Sequence, residues 1–334
     1  MIIVTGGAGF IGSNIVKGLN DRGRSDILVV DNLENVEKVK NIENLDIVDY
    51  MDKTEFFRAL ETGAGFGKVE AIFHEGACSD TMATDCRYVL ENNFTYSKRL
   101  FGFCWEHQAQ YIYASSASVY GAGRVFVEDK EYESTLNAYA YSKLLFDNFV
   151  RHQVSTHGET PFQCVGLRYF NVYGPRERHK GTMASVAWHF YHQYQKQRKV
   201  KLFSGSDGYE NGGHLRDFVN VEDVVGVNLY LLDHPEVSGI YNVGTGQCHS
   251  FNDVAIAVVN RCRTINGQPT LSLEEAIDCK EIDYIPMPEA LHGKYQSYTC
   301  ADITRLRDQG YDKDFYDVPT GVSIYVDYLH EVYG

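Results

Sequence analysis

The chain has 334 residues, 44% of them hydrophobic, with 31 basic and 45 acidic residues and a formal net charge of −14. That length allows one large α/β domain or two unequal ones, and the acid excess excludes nucleic acid or an anionic membrane as the main partner. Eight cysteines (Cys78, Cys86, Cys104, Cys164, Cys248, Cys262, Cys279 and Cys300) form no C-x-x-C pair, so neither a disulfide framework nor a metal site is expected. No run reaches the roughly 18 apolar residues of a spanning helix. The first residues run straight into a strand with no basic leader, which points to a cytoplasmic protein.

Ile2 to Val4 is a β-branched run that reads as a buried strand. Gly6, Gly9 and Gly12 follow at three-residue spacing, and Ile11, Ile15 and Leu19 then mark a helical face. Strand, glycine turn and helix together form the context of a dinucleotide-binding turn. Gly6, Gly9, Phe10, Ile11 and Gly12 are therefore candidate cofactor contacts. Asp26 to Asp31 reads as a second strand, and Asp31 can accept bonds from adenosine ribose hydroxyls. A carboxylate there favours NAD, whereas Lys38, Lys40 and Lys53, near Asn32, could neutralise the extra phosphate of NADP. Leu45 to Asp49 reads as a third strand and Val69 to His74 as a fourth. Glu75, Gly76, Ala77, Cys78 and Ser79 follow it, mostly small residues that let a cofactor lie close to the backbone. In the helical region beyond, Asn92 or Asn93 is placed to hold the neighbouring strand.

Tyr111 to Ser116 reads as the fifth strand. Tyr139 and Lys143 are four apart, so one helical turn puts both on one side, about 6 Å apart along the axis. A lysine ammonium and a positive nicotinamide ring would favour the phenolate of Tyr139, which could then take a hydroxyl proton as hydride leaves the same carbon. Ser116 could bond the same oxygen.

The order Gly6-x-x-Gly9-x-x-Gly12, Asp31, Ser116 and Tyr139-x-x-x-Lys143 resembles the extended short-chain dehydrogenase/reductases. That family comprises nucleotide-sugar epimerases, dehydratases and reductases, and the resemblance covers the whole chain. It implies a Rossmann-type doubly wound parallel sheet with a smaller mixed α/β substrate domain. The cofactor domain would take residues 1–170 and about 217–248, the substrate domain about 171–216 and 249–310, and a closing helix 311–334. Met1 to Asn14, Phe73 to Ser79 and Arg168 to Ser185 are similar to the heptose-epimerase branch. In that branch a lysine matching Lys180 serves as a second acid/base. The branch also implies bound NADP (with NAD the alternative), an ADP-linked heptose as substrate, and a homo-oligomer, a pentamer.

Cys164 to Asn171 reads as a sixth strand, which places Asn171 and Val172 at its ligand-facing end. Thr182 to about Lys199 reads as a helix, with His189 in family register for a substrate contact. Phe203, Ser204, Gly205 and Ser206 resemble the family's substrate-lining turn, and 207–215 is expected to be a mobile loop. Arg216 opens Arg-Asp-Phe-x-x-Val-x-Asp, a strong family signal, and is a candidate pyrophosphate clamp. Ser250 to Asp253 reads as a capping box, and Ile265 to Lys280 as an insertion. Thr182 and Tyr295 match substrate contacts of the family. Ala117 and Ser118 follow Ser116 where a dehydratase would carry an acidic pair. A 4-epimerase of another nucleotide sugar is the alternative within the fold, and a non-catalytic cofactor sensor the alternative outside catalysis.

Overall fold

A computed structural model describes residues 1–63, 65–288 and 296–334. Tyr295 lies outside the described residues. Among these, seven strands form one parallel sheet: β1 (Ile2–Thr5), β2 (Ile27–Asp31), β3 (Asp49–Asp52), β4 (Ala71–His74), β5 (Gln110–Ser116), β6 (Cys164–Tyr169) and β11 (Gly239–Val243). Their order is β11-β6-β5-β4-β1-β2-β3, so the chain reverses direction across the sheet between β1 and β4. Ligands of doubly wound sheets bind at that reversal, outside the carboxyl ends of the strands.

The middle strands are apolar along most of their length because helices cover both faces. On one face Ile2, Val4, Val29 and Phe73 pack with α1 (Phe10–Asp21) and α8 (Val221–Asp233). On the other, Ile3, Ile72, Tyr111 and Tyr113 pack with α5 (Tyr96–His107) and α6 (Ala138–His157). The third strand is the exception to the expected pattern. Pairing with β2 falls on Asp49–Asp52, while Leu45 and Ile47 pack on the core as a lead-in. A polar strand suits the edge of a sheet, where charge discourages further pairing.

A separate apolar cluster joins α7 (Val186–Gln197), α9 (Phe251–Ile265) and α12 (Val318–Tyr333) with β8 (Val200–Phe203) and β13 (Ile282–Ile285). Short pairs connect it to the main sheet: β7 (Asn171–Tyr173) with β10 (Phe218–Asn220), and β9 (Leu215–Arg216) with β12 (His249–Ser250). The expected helix from Thr182 starts later. A tight turn, Arg178–Met183, is kinked at Gly181, and Ser185 then caps α7 by accepting from Trp188 N–H at 3.2 Å. Ser250 does form the expected capping box, and Ser272 forms another that opens α10 (Leu273–Asp278) inside the insertion. The second half of 207–215 is fastened rather than free. Asn252 donates to Asn211 O and Gly212 O, Asn211 Oδ1 accepts from Gly205 N–H, and His214 is buried.

Candidate active site

The turn after β1 is shaped by two glycines. Gly6 has φ +67°, and a Cβ there would lie 2.6 Å from Gly76 N. A Cβ on Gly12 would lie 2.2 Å from Gly6 O, so α1 can start this close to the turn only without one. No side chain caps the first turn of α1. Its N–H groups face a cleft of about 470 Å³ at the sheet's reversal point. A bare turn and an uncapped helix start form a cradle that fits a pyrophosphate.

Except for Lys40, which stands 3.5 Å from Glu37 instead, every residue expected to touch the cofactor lines this cleft: Gly6, Gly9, Phe10, Ile11, Gly12, Asp31, Asn32, Lys38, Lys53, Glu75, Gly76, Ala77, Cys78, Ser79, Asn92, Lys143 and Val172. At the carboxyl end of β2, Asp31 is not a free acceptor. Its Oδ2 accepts from Ala8 N–H at 3.0 Å, and its Oδ1 from Asn32 N–H and Lys38 Nζ, both at 2.7 Å. The opposed signals of Asp31 and Lys38 in the sequence thus become one ion pair. Lys53 donates to Asn92 Oδ1 at 3.1 Å. A π-helical turn at Glu91–Thr95 exposes Asn92 to the cleft and buries Asn93. Asn93 then clamps Cys78, accepting from its N–H at 2.7 Å and donating to its carbonyl at 3.0 Å.

Ser116, Tyr139 and Lys180 line the same cleft. Asn137 caps α6, and Tyr139 and Lys143 stand in its first two turns. Burial pushes the Tyr139 phenol above its ordinary value, opposed by its bond with Ser116, while Glu75 and Cys78 add to the rise. The expected lowering rests on Lys143 together with a nicotinamide ring; Lys143 donates to Ala114 O at 2.7 Å and is itself pushed down to about 8 by burial. Glu75 is pushed up to about 7 by burial, despite the hydroxyl of Tyr169 that donates to it at 3.0 Å. Lys180 sits 5.2 Å over the Phe10 ring. Burial lowers its pKa, and Glu177 works against that.

Among the described residues, the others expected to bind the substrate lie outside this cleft lining. Asn171 pairs in register with Phe218 at the edge of the cleft-lining Val172, and Thr182 offers its carbonyl to His189. Phe203 ends β8 and Ser204, Gly205 and Ser206 follow it; Ser206 bonds His214 at 2.9 Å, two residues before Arg216, and Arg216 lies over Phe251. Arg216 is buried and donates to Leu215 O at 3.0 Å. Sequence reading missed His179, Tyr88, Tyr96 and Met183 as cleft residues. Only His179, beside Lys180, had a signal that could have found it.

A model of the "NAD dependent epimerase/dehydratase family" matches residues 2–244. A Thiobacillus denitrificans protein named ADP-L-glycero-D-manno-heptose-6-epimerase is 59% identical over 327 residues, covering 98% of both chains. The crystal structure of the Helicobacter pylori protein of that name is 29% identical with a TM-score of 0.78, over 98% of this chain and 96% of that one. A Thermotoga maritima UDP-glucose 4-epimerase, solved with UDP-glucose, is 25% identical with a TM-score of 0.78, over 100% and 99%.

Proposed function

The chain belongs to the NAD dependent epimerase/dehydratase family, and we propose that it interconverts ADP-D-glycero-D-manno-heptose and ADP-L-glycero-D-manno-heptose at C6″ with one tightly held NADP. The observation that carries this reading is that two proton-handling side chains on separate elements, Tyr139 on α6 and Lys180 on the turn 178–183, line one cleft.

An epimerase that oxidises a carbinol and re-reduces the ketone from its other face meets the hydroxyl in two orientations. One base need not reach both. Tyr139 would serve one epimer and Lys180 the other, each taking the hydroxyl proton in one direction and returning it in the reverse. When bound, the nicotinamide accepts the hydride and gives it back, and its positive oxidised ring favours the Tyr139 phenolate. Lys143 would supply a nearby cation, and Ser116, which works against the rise at Tyr139, would hold the phenolic oxygen. Lowered basicity suits Lys180 to proton exchange near neutral pH, since a free lysine stays protonated there. Elimination finds no acid beyond Ser116: Ser118 Oγ donates to Ser116 Oγ at 2.9 Å.

For the cofactor, Lys38 neutralises Asp31, which removes the repulsion a 2′-phosphate would otherwise meet. We assign 1–170 and about 217–248 to cofactor binding. About 171–216 and 249–310 would hold the sugar nucleotide through Asn171, Thr182, His189, Phe203 to Ser206, Arg216 and Tyr295, with 311–334 closing the fold. A cytoplasmic homo-oligomer, a pentamer, belongs to the same reading. Its test is Tyr139→Phe combined with Lys180→Ala. The double variant is expected to lose epimerisation while retaining cofactor, and a near-parental rate would overturn the two-base scheme.

A further inference from the structure

Lys180 is carried by a segment, 175–183, that docks on the cofactor-binding helices. Asn41, at the end of α2 (Val36–Ile42), is 5% exposed and sits at the centre of that contact. Its Nδ2 donates to Ala8 O in the glycine turn and to Arg176 O, both at 3.0 Å, and lies 3.1 Å from His179 Nδ1. Its own carbonyl accepts from Arg176 Nη1. Arg176 has φ +72°, a left-handed conformation that a non-glycine residue holds only when its surroundings fix it. Asn41 meets both the carbonyl and the guanidinium of that residue. Nearby, Asn14 Nδ2 donates to Pro175 O at 2.9 Å, and Arg178 pairs with Glu37 at 3.1 Å. The far side of the segment is pinned separately: Glu177 accepts from Ser185 N–H and Oγ and from Tyr325.

We propose that Asn41 is a positioning residue for Lys180: it ties the glycine turn to the Arg176 carbonyl and the His179 ring, which stand on either side of Glu177, and so sets where the second base stands in the cleft. This rests on the two-base reading above. Asn41 touches the segment through hydrogen bonds of its side-chain amide and its backbone carbonyl and does not line the cleft, so it acts on Lys180 and not on Tyr139, whose helix is capped by Asn137.

The test is single-turnover reduction of the bound nicotinamide, followed by absorbance, started from each pure epimer in turn. Lys180→Ala and Tyr139→Phe define which epimer depends on which base. Asn41→Ala is expected to slow, at least tenfold, the epimer that Lys180→Ala slows, and to leave the other within threefold. His179→Ala, a milder lesion of the same junction, should shift the same epimer in the same direction. Asn20→Ala removes a helix asparagine that bonds Arg24 O and Asp46 O, away from the segment, and should shift neither. Hydrogen exchange of the amides in 176–183 should rise in Asn41→Ala, with α6 unchanged. Equal slowing of both epimers, or of neither, in Asn41→Ala and His179→Ala overturns the assignment. If Lys180→Ala itself slows both epimers alike, the two-base reading fails and this inference fails with it.

Discussion

Removing the carboxylate of Asp147 should destabilise the chain through Arg168. Both side chains are 0% exposed and meet at 2.9 Å. Asp147 Oδ2 accepts from Arg168 Nε and Nη2 and from Ser115, and Oδ1 accepts from Tyr113. These bonds tie α6, which carries Tyr139 and Lys143, to β5 and β6. Breaking a buried ion pair from one side typically costs about 3–5 kcal/mol, because a charge is left without its partner. Here Arg168 keeps Glu133 at 2.5 Å and the Tyr120 ring at 4.9 Å. Asp147→Ala should therefore fall at the lower end, about 3 kcal/mol, against a total stability on the order of 5–15 kcal/mol. Arg168→Met should cost a similar amount, since it leaves the buried Asp147 without its cation while Glu133 keeps Arg151 at 2.7 Å. The double variant should cost less than the sum by about 2 kcal/mol, because neither orphan charge of the pair remains. Urea midpoints at constant slope measure all three. Additivity within about 0.5 kcal/mol would refute the reasoning, since a coupled buried pair cannot behave as two independent sites.

Three further outcomes follow from the site. Gly12→Ala puts a Cβ 2.2 Å from Gly6 O, so the turn must move. Purified variant should stay folded yet carry little nicotinamide, as read by the cofactor-to-protein ratio after denaturation. Glu75 is raised to about 7 from an ordinary 4.5, so between those values the folded chain holds a proton that the unfolded chain has released. Stability of the cofactor-free protein should fall as pH rises through that window, by about 1–3 kcal/mol for this group. Glu75→Gln should remove that share of the slope between melts at about pH 5 and about pH 8, and an unchanged slope would contradict it. Asn93→Ala frees both backbone groups of Cys78. Cys78 should then react faster with a thiol reagent, while Cys104, buried in the core, should not.

The glycine turn and β1, β2, β4, β5 and β6 were legible because local pattern and final burial agree there. The lining of the cleft was legible for the same reason: those residues sit at fixed offsets from those strands. The third strand was misplaced because the apolar Leu45-x-Ile47 packs on the core without pairing, while the polar Asp49–Asp52 pairs with β2. Loop 207–215 looked free because its anchors, Asn252 and Phe203, are remote in sequence or bond through backbone alone. The raised Tyr139 phenol was illegible too, since it depends on burial and on Glu75, which follows β4 and is remote from α6 in sequence. Asn41 carried no motif, and its partners Ala8 and Arg176 are 33 and 135 positions away.

The substrate is the central claim, and it is tested most directly by a panel assay without added cofactor. Purified protein is incubated with ADP-D-glycero-D-manno-heptose and, separately, with UDP-galactose. The products are resolved by chromatography, and the nicotinamide released on denaturation is identified in the same sample. Conversion of the ADP-heptose alone, with NADP released, is the predicted result. Conversion of UDP-galactose alone would leave the fold and the tyrosine chemistry standing but contradict both the substrate and the role of Lys180.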